Sequence, residues 1–268
     1  MNYRFLIPFV LSLAASAQTV EFKLRNNYLV LTKCSIADRH DLVGLIDTGA
    51  TETAIDTKLV KQLRLHVIAD KATFATRETA VSSVSIPELA LGSLRFTSLS
   101  GIAIDMLRVE SQLRVHADLI IGMDVLERSN VVIDYEAKTI TFGAAPRFAH
   151  SSPLVRLGHL VLVPVVLGAR KMTLQLDTGL NGVLVYGAKI PALPRSLNSS
   201  NTTAIGGSTV HTTSLSLRIG DWEQRQATVA VTDDQPINDA PFDGLLGPVA
   251  IGVHRLALNW ERDTMSWE

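Results

Sequence analysis

Short runs of alternating apolar and polar residues fill most of the chain. VEFKLRNNYLVLTKCSI (residues 20–36), VSIPELALGSLRF (84–96) and TTSLSLRIGDWEQRQATVAV (212–231) show this period, broken by Gly, Asn and Asp. In an extended backbone successive side chains point to opposite faces, so a period of two predicts strands with one face buried. GDWEQ (220–224), lying between two such runs, predicts a hairpin turn. Helical spacing is scarce. DTKLVKQLRL (56–65), with Leu59, Val60 and Leu63 on one face, predicts one short helix, and GMDVLERS (122–129) a second. The expected fold class is all-β.

A longer period lies over the short one. LIDTGATETAID (45–56) and LQLDTGLNGVLV (174–185) each carry an apolar run ending in Asp-Thr-Gly, and their aspartates, Asp47 and Asp177, are 130 residues apart. ADLIIGMDVL (117–126) matches FDGLLGPVAI (242–251), and IDYEAKTITF (133–142) matches LNWERDTMSW (258–267), both at an offset of 125. YLVL at Tyr28 matches HLVL at His159. Four blocks in one order at nearly constant offset read as a tandem duplication. GAAPRFAHSSPLVR (143–156) has the Pro, Ser and small residues of a connection. The expected division is a signal peptide at 1–17, an N-terminal lobe at 18–146, a linker at 147–156 and a C-terminal lobe at 157–268.

The remaining composition narrows the function. The chain has 268 residues with 47% hydrophobic and 19% charged, enough for a packed core, and a formal net charge of −1 without blocks of like charge. That argues against a nucleic-acid groove or a polybasic membrane patch. Arg4, the apolar run 5–15 and the small-x-small site Ala15-Ser16-Ala17 form a signal-peptide pattern, too short for the ~20 residues of a membrane span. The expected product is exported, periplasmic or secreted, without stable membrane association, and no pro-segment is legible after Gln18. Its one cysteine, Cys34, has no partner for an internal disulfide and sits in an apolar run, where a structural thiol is expected. The seven histidines show no H-E-x-x-H spacing, so no metal and no cofactor is expected. There is no G-x-S-x-G elbow and no phosphate-binding loop ending in Lys-Ser or Lys-Thr.

What remains is the pair of aspartates. Each is delivered by an apolar strand into a turn whose glycine opens backbone geometry closed to other residues. If a twofold relates the halves, the two carboxyls meet. At about 3 Å they share one proton, so one serves as general base towards water and the other as general acid towards a carbonyl oxygen. The two Asp-Thr-Gly triplets, each followed by an apolar-apolar-Gly element (Ile120-Ile121-Gly122 and Leu245-Leu246-Gly247), resemble those of aspartic peptidases of the retropepsin and pepsin type. The resemblance covers nearly the whole chain after the signal peptide, in two copies. It implies two similar retropepsin-like β-barrel lobes related by a pseudo-twofold, with the active-site cleft between them and the apolar-apolar-Gly strand threaded through the aspartate loop.

The resemblance further implies an exported aspartic endopeptidase in which Asp47 and Asp177 are catalytic. Thr48 and Thr178 would cross-link the two loops, and Gly49 and Gly179 would contact the carboxylates. A polypeptide substrate would bind in extended conformation to a monomer. A flap is expected from 75–86 or, with Gly206-Gly207 at its tip, from 204–213. The triplets are followed by Ala50 in one half and Leu180 in the other. That difference supports the alternative of a peptide-binding module that keeps the fold with weak or no turnover.

Overall fold

The computed structural model describes residues 17–74, 77–143, 145–190, 202–203, 209–232 and 240–268, with the backbone alone at 70–74, 77–81, 202–203 and 209. The expected signal peptide, apart from Ala17, and the tips of both flap candidates, at 75–76 and 204–208, lie outside the described residues. The first half contains strands β1 (Gln18–Arg25), β2 (Leu29–Ile36), β3 (Arg39–Ile46), β4 (Ala54–Asp56), β5 (Val67–Phe74), β6 (Arg77–Leu91), β7 (Leu94–Ile104), β8 (Leu119–Ile121), β9 (Val131–Asp134) and β10 (Thr139–Phe142). Its helices are α1 (Thr57–Leu63), α2 (Met106–Leu113) and α3 (Met123–Leu126). The second half contains β11 (His150–Pro153), β12 (Val155–Leu157), β13 (Leu160–Leu167), β14 (Arg170–Leu176), β15 (Val183–Tyr186), β16 (Thr202–Thr203), β17 (Thr209–Ile219), β18 (Trp222–Thr232), β19 (Gly244–Leu246), β20 (Arg255–Asn259) and β21 (Thr264–Trp267). The stretch expected as a linker, 147–156, carries β11 and the start of β12; β11, with Pro153, is the outermost strand of its sheet, where a missing N–H costs nothing.

Each half closes a six-stranded barrel. In the first the order is β2-β3-β8-β4-β7-β6, closed by Ser35–Ala90 and Ile36–Leu89 pairing of β2 with β6. In the second it is β13-β14-β19-β15-β18-β17, closed by Val166–Arg218 and Leu167–Leu217 pairing of β13 with β17. Strand for strand the orders are the same, so the protein is an all-β molecule of two barrel lobes. Closure satisfies the backbone groups that an open edge would leave unpaired.

The lobes are joined by a sheet of six strands, β11-β21-β20-β9-β10-β1, half from each. At its centre β9 and β20 run antiparallel, with Leu256 opposite Ile133 and Leu258 opposite Val131. These four side chains are essentially inaccessible to solvent. Trp260 closes the join from the second lobe: its indole Nε1 donates to the Leu126 carbonyl at 2.9 Å, and its backbone N–H donates to Asn130 Oδ1 at 2.9 Å.

The helices are short and capped. Asp56 accepts the Lys58 amide at the start of α1, and Asp105 accepts the Leu107 amide at the start of α2. Arg64 and Arg114, both left-handed, end them. The sequence reading anticipated α1 and α3 but not α2, whose buried residues are Met106 and Leu113, with Val109 packed beside them. These two cover Leu29, Leu31 and Leu45 on the outside of the first barrel. Cys34 is buried, and burial pushes its thiol up to about 12, which leaves it protonated and unreactive. Because Leu256 is wholly buried at the join, Leu256→Ala is expected to cost about 2–5 kcal/mol, read as a lower urea midpoint of unfolding.

Candidate active site

In the first lobe β3 runs parallel to β8, and β8 runs antiparallel to β4. β8 therefore lies between the two strands that the Asp47 turn connects, and the turn must pass over its end. Two backbone bonds hold it there: Asp47 N–H donates to the Ile121 carbonyl at 3.0 Å, and Met123 N–H to the Ala50 carbonyl at 2.9 Å. Gly122 sits where the chains cross, and a Cβ there would lie 2.7 Å from the Glu52 carbonyl oxygen. The second lobe repeats the crossing. Asp177 N–H donates to the Leu246 carbonyl at 2.9 Å, Gly247 N–H to the Gly182 carbonyl at 2.8 Å, and a Cβ on Gly247 would lie 2.2 Å from the Leu180 oxygen. No side chain fits at either crossing, which is the physical reason for the glycine ending each apolar-apolar-Gly element.

Sequence reasoning missed Asp118 and Asp243, which set the register of these crossings. Asp118 Oδ2 accepts the Val43 amide at 2.8 Å while the Val43 carbonyl accepts the Asp118 amide at 2.8 Å. Asp243 and Thr173 exchange the same two bonds, at 2.9 and 2.7 Å. A signal was present, since an aspartate precedes the apolar pair at matching positions of both repeats.

The two turns meet at the lobe contact, where Thr48 and Thr178 are buried. Thr48 N–H donates to Thr178 Oγ1 at 3.0 Å, and Thr178 N–H donates to Thr48 Oγ1 at 3.1 Å. Each hydroxyl in turn donates into the opposite lobe, Thr48 Oγ1 to the Leu176 carbonyl and Thr178 Oγ1 to the Ile46 carbonyl, both at 3.0 Å. Each hydroxyl is thus both donor and acceptor, and four buried backbone groups at the contact are satisfied across it.

This lattice brings Asp47 and Asp177 together, each only partly exposed. Gly49 N–H donates to Asp47 Oδ1 and Gly179 N–H to Asp177 Oδ1, both at 2.8 Å. A Cβ on Gly49 would lie 2.7 Å from the Asp177 carboxyl carbon, and one on Gly179 would lie within 3.3 Å of oxygens from both aspartates. The glycines therefore allow the carboxyls to approach, and the carboxyls hydrogen-bond each other. Burial raises the Asp47 carboxyl above the ordinary range. Burial and then the charge of Asp47 raise Asp177 well above it. Two carboxyls in this position hold one proton between them and titrate as a unit. Tyr28 and Tyr186 also feel Asp177, and burial followed by that charge pushes both phenols up. The first bond after the triplet is the same in both halves: Ala50 N–H meets the Asp47 carbonyl and Leu180 N–H the Asp177 carbonyl, each at 3.3 Å. Beyond it the halves differ, since the crossing bond is accepted by the Ala50 carbonyl in the first and by the Gly182 carbonyl in the second. Among the described residues no group of three or more His, Cys, Asp or Glu side chains is placed to hold a metal ion.

Residues 32–125 match the family model of aspartyl proteases. The match runs from within β2 to within α3, so it contains Asp47, the strand threaded beside it and Gly122. It supports an aspartyl protease family for the first lobe, and the second lobe follows the same strand order. No curated protein matches the chain.

Thr48→Val is expected to leave the Thr178 amide and the Leu176 carbonyl buried without partners, at about 1–3 kcal/mol for each, while Thr48→Ser keeps most of the stability; urea unfolding of the two variants separates the cases. A raised carboxyl binds more protons folded than unfolded. Its contribution is fully present below the unfolded value of about 3.9 and is lost as pH rises through the raised one. Asp177→Asn is accordingly expected to flatten the decline of thermal midpoint as pH rises above about 4. Parallel curves for the variant and the native chain would contradict the raised pair.

Proposed function

We propose that the chain is an aspartic endopeptidase that hydrolyses peptide bonds with a water activated by the Asp47–Asp177 pair. The observation that carries the reading is the meeting of two carboxyls, one from each lobe, on turns tied by reciprocal threonine bonds. With one proton on the pair, the ionised carboxylate takes a proton from water as the water oxygen adds to the carbonyl carbon. The neutral carboxyl gives its proton to the carbonyl oxygen. The tetrahedral adduct then breaks its C–N bond, with a proton passing to the departing amine. The step draws on no metal, cofactor or nucleophilic side chain. Thr48 and Thr178 hold the carboxyls in register, and Gly49 and Gly179 donate to them and leave room for water.

The substrate is a polypeptide in extended conformation lying between the lobes. Since one chain supplies both half-sites, the working unit is a monomer, and the pattern at residues 1–17 directs it to export, periplasmic or secreted.

Hydrolysis of a mixed peptide library by residues 18–268, followed from acid to neutral pH, tests the reading. Cleavage is expected to fall at least about a hundredfold in both Asp47→Asn and Asp177→Asn. Cleavage that survives Asp177→Asn would refute a shared pair. Peptide binding without hydrolysis at any pH would replace the peptidase with a binding module of the same fold.

A further inference from the structure

Strand β14 reads RKMTLQL, with Leu174 and Leu176 wholly buried, and places one polar residue between them. Gln175 is itself buried, at 5% exposure, and its Nε2 donates to the Gly49 carbonyl at 2.9 Å. The bond reaches from the second lobe into the Asp-Thr-Gly turn of the first. The threonine and glycine bonds around the pair come in matched sets, but this one is unmatched. The corresponding position of β3 holds Leu45, an apolar side chain without a donor, packed with Leu29, Leu31, Met106 and Leu113.

Gly49 is held at both ends: its carbonyl accepts from Gln175 at 2.9 Å, and its N–H donates to Asp47 Oδ1 at 2.8 Å. Each carboxyl receives one such amide, Gly49 on Asp47 and Gly179 on Asp177. Only the Gly49 turn is braced by a glutamine from the opposite lobe. An N–H held firmly against a carboxyl favours its ionised form. The titratable side chains that feel the pair are Tyr28, at the start of β2, and Tyr186, at the end of β15; both phenols stay neutral at acid and neutral pH.

We infer that Gln175 is a positioning residue that makes the two half-sites inequivalent: by bracing Gly49 it holds that residue's amide on Asp47, which assigns the base role to Asp47 and leaves the shared proton on Asp177. Its consequence for turnover rests on the peptidase reading above; the inequivalence itself does not. In that reaction Asp47 is the base towards water and Asp177 the acid towards the carbonyl oxygen.

The experiment is a pH titration of residues 18–268 labelled with ¹³C at the aspartate carboxyls, followed by NMR. The Asp47 signal is assigned by its loss in Asp47→Asn. In the native chain the lower step is expected on Asp47. In Gln175→Leu, which copies the residue at position 45, and in Gln175→Met, which keeps the length without the donor, that step is expected to rise by roughly half a pH unit. The acid limb of kcat/KM for peptide cleavage should move up by the same amount with KM little changed. Folded variants that titrate as the native chain does, or a lower step that belongs to Asp177 in the native chain, would overturn the inference. A native chain that cleaves nothing would defeat the peptidase reading alone, since the carboxyl titration still decides the role of Gln175.

Discussion

Everything at the centre of this molecule depends on how two like-charged groups are held against each other. Left alone, Asp47 and Asp177 would repel once ionised, and burial penalises their charge further. The opposing force is the threonine lattice, in which two hydroxyls satisfy four backbone groups across the lobe contact. That lattice needs the turns to be fixed in their own lobes first. The threaded strands β8 and β19, with glycines at both crossings and Asp118 and Asp243 setting the register, do this. The lobes in turn need a reason to stay in contact, which the β9–β20 pairing and Trp260 supply. Barrel, crossing, lattice and pair thus form one chain of dependence that ends at the carboxyls.

On this nearly symmetric frame the departures carry the information. Bonds that fix the frame are duplicated to within a tenth or two of an ångström. The side chains around the pair are not: Gln175 stands against Leu45, and Leu180 against Ala50. Symmetry places the groups, and the departures from it mark where the two half-sites differ.

The recurrence of Asp47-Thr48-Gly49 at Asp177-Thr178-Gly179 was legible in the sequence because each triplet brings its own apolar-apolar-Gly partner at a fixed distance. The period-two runs likewise gave away the strands. Other features were hidden for physical reasons. Helix α2 is two turns long, too short for its period to stand out from the strands around it. Gln175 reads as the polar member of an alternating strand and so points to solvent by rule; that it meets Gly49 is decided by packing between segments 126 residues apart. The repeat of 133–142 at 258–267 predicts two similar hairpins, but a strand pattern does not name its neighbour, so the central pairing of β9 with β20 emerges only in three dimensions.

That joining sheet has a further consequence. When two identical chains must meet to build a site, mass action governs how much of the site exists, and dilution dissolves it. Here the second half is tethered to the first, and a short connection holds its partner at an effective concentration of millimolar order. The assembled pair of half-sites is therefore indifferent to how dilute the protein becomes. Because each half is encoded separately, a substitution such as glutamine for leucine can enter one side without being imposed on the other.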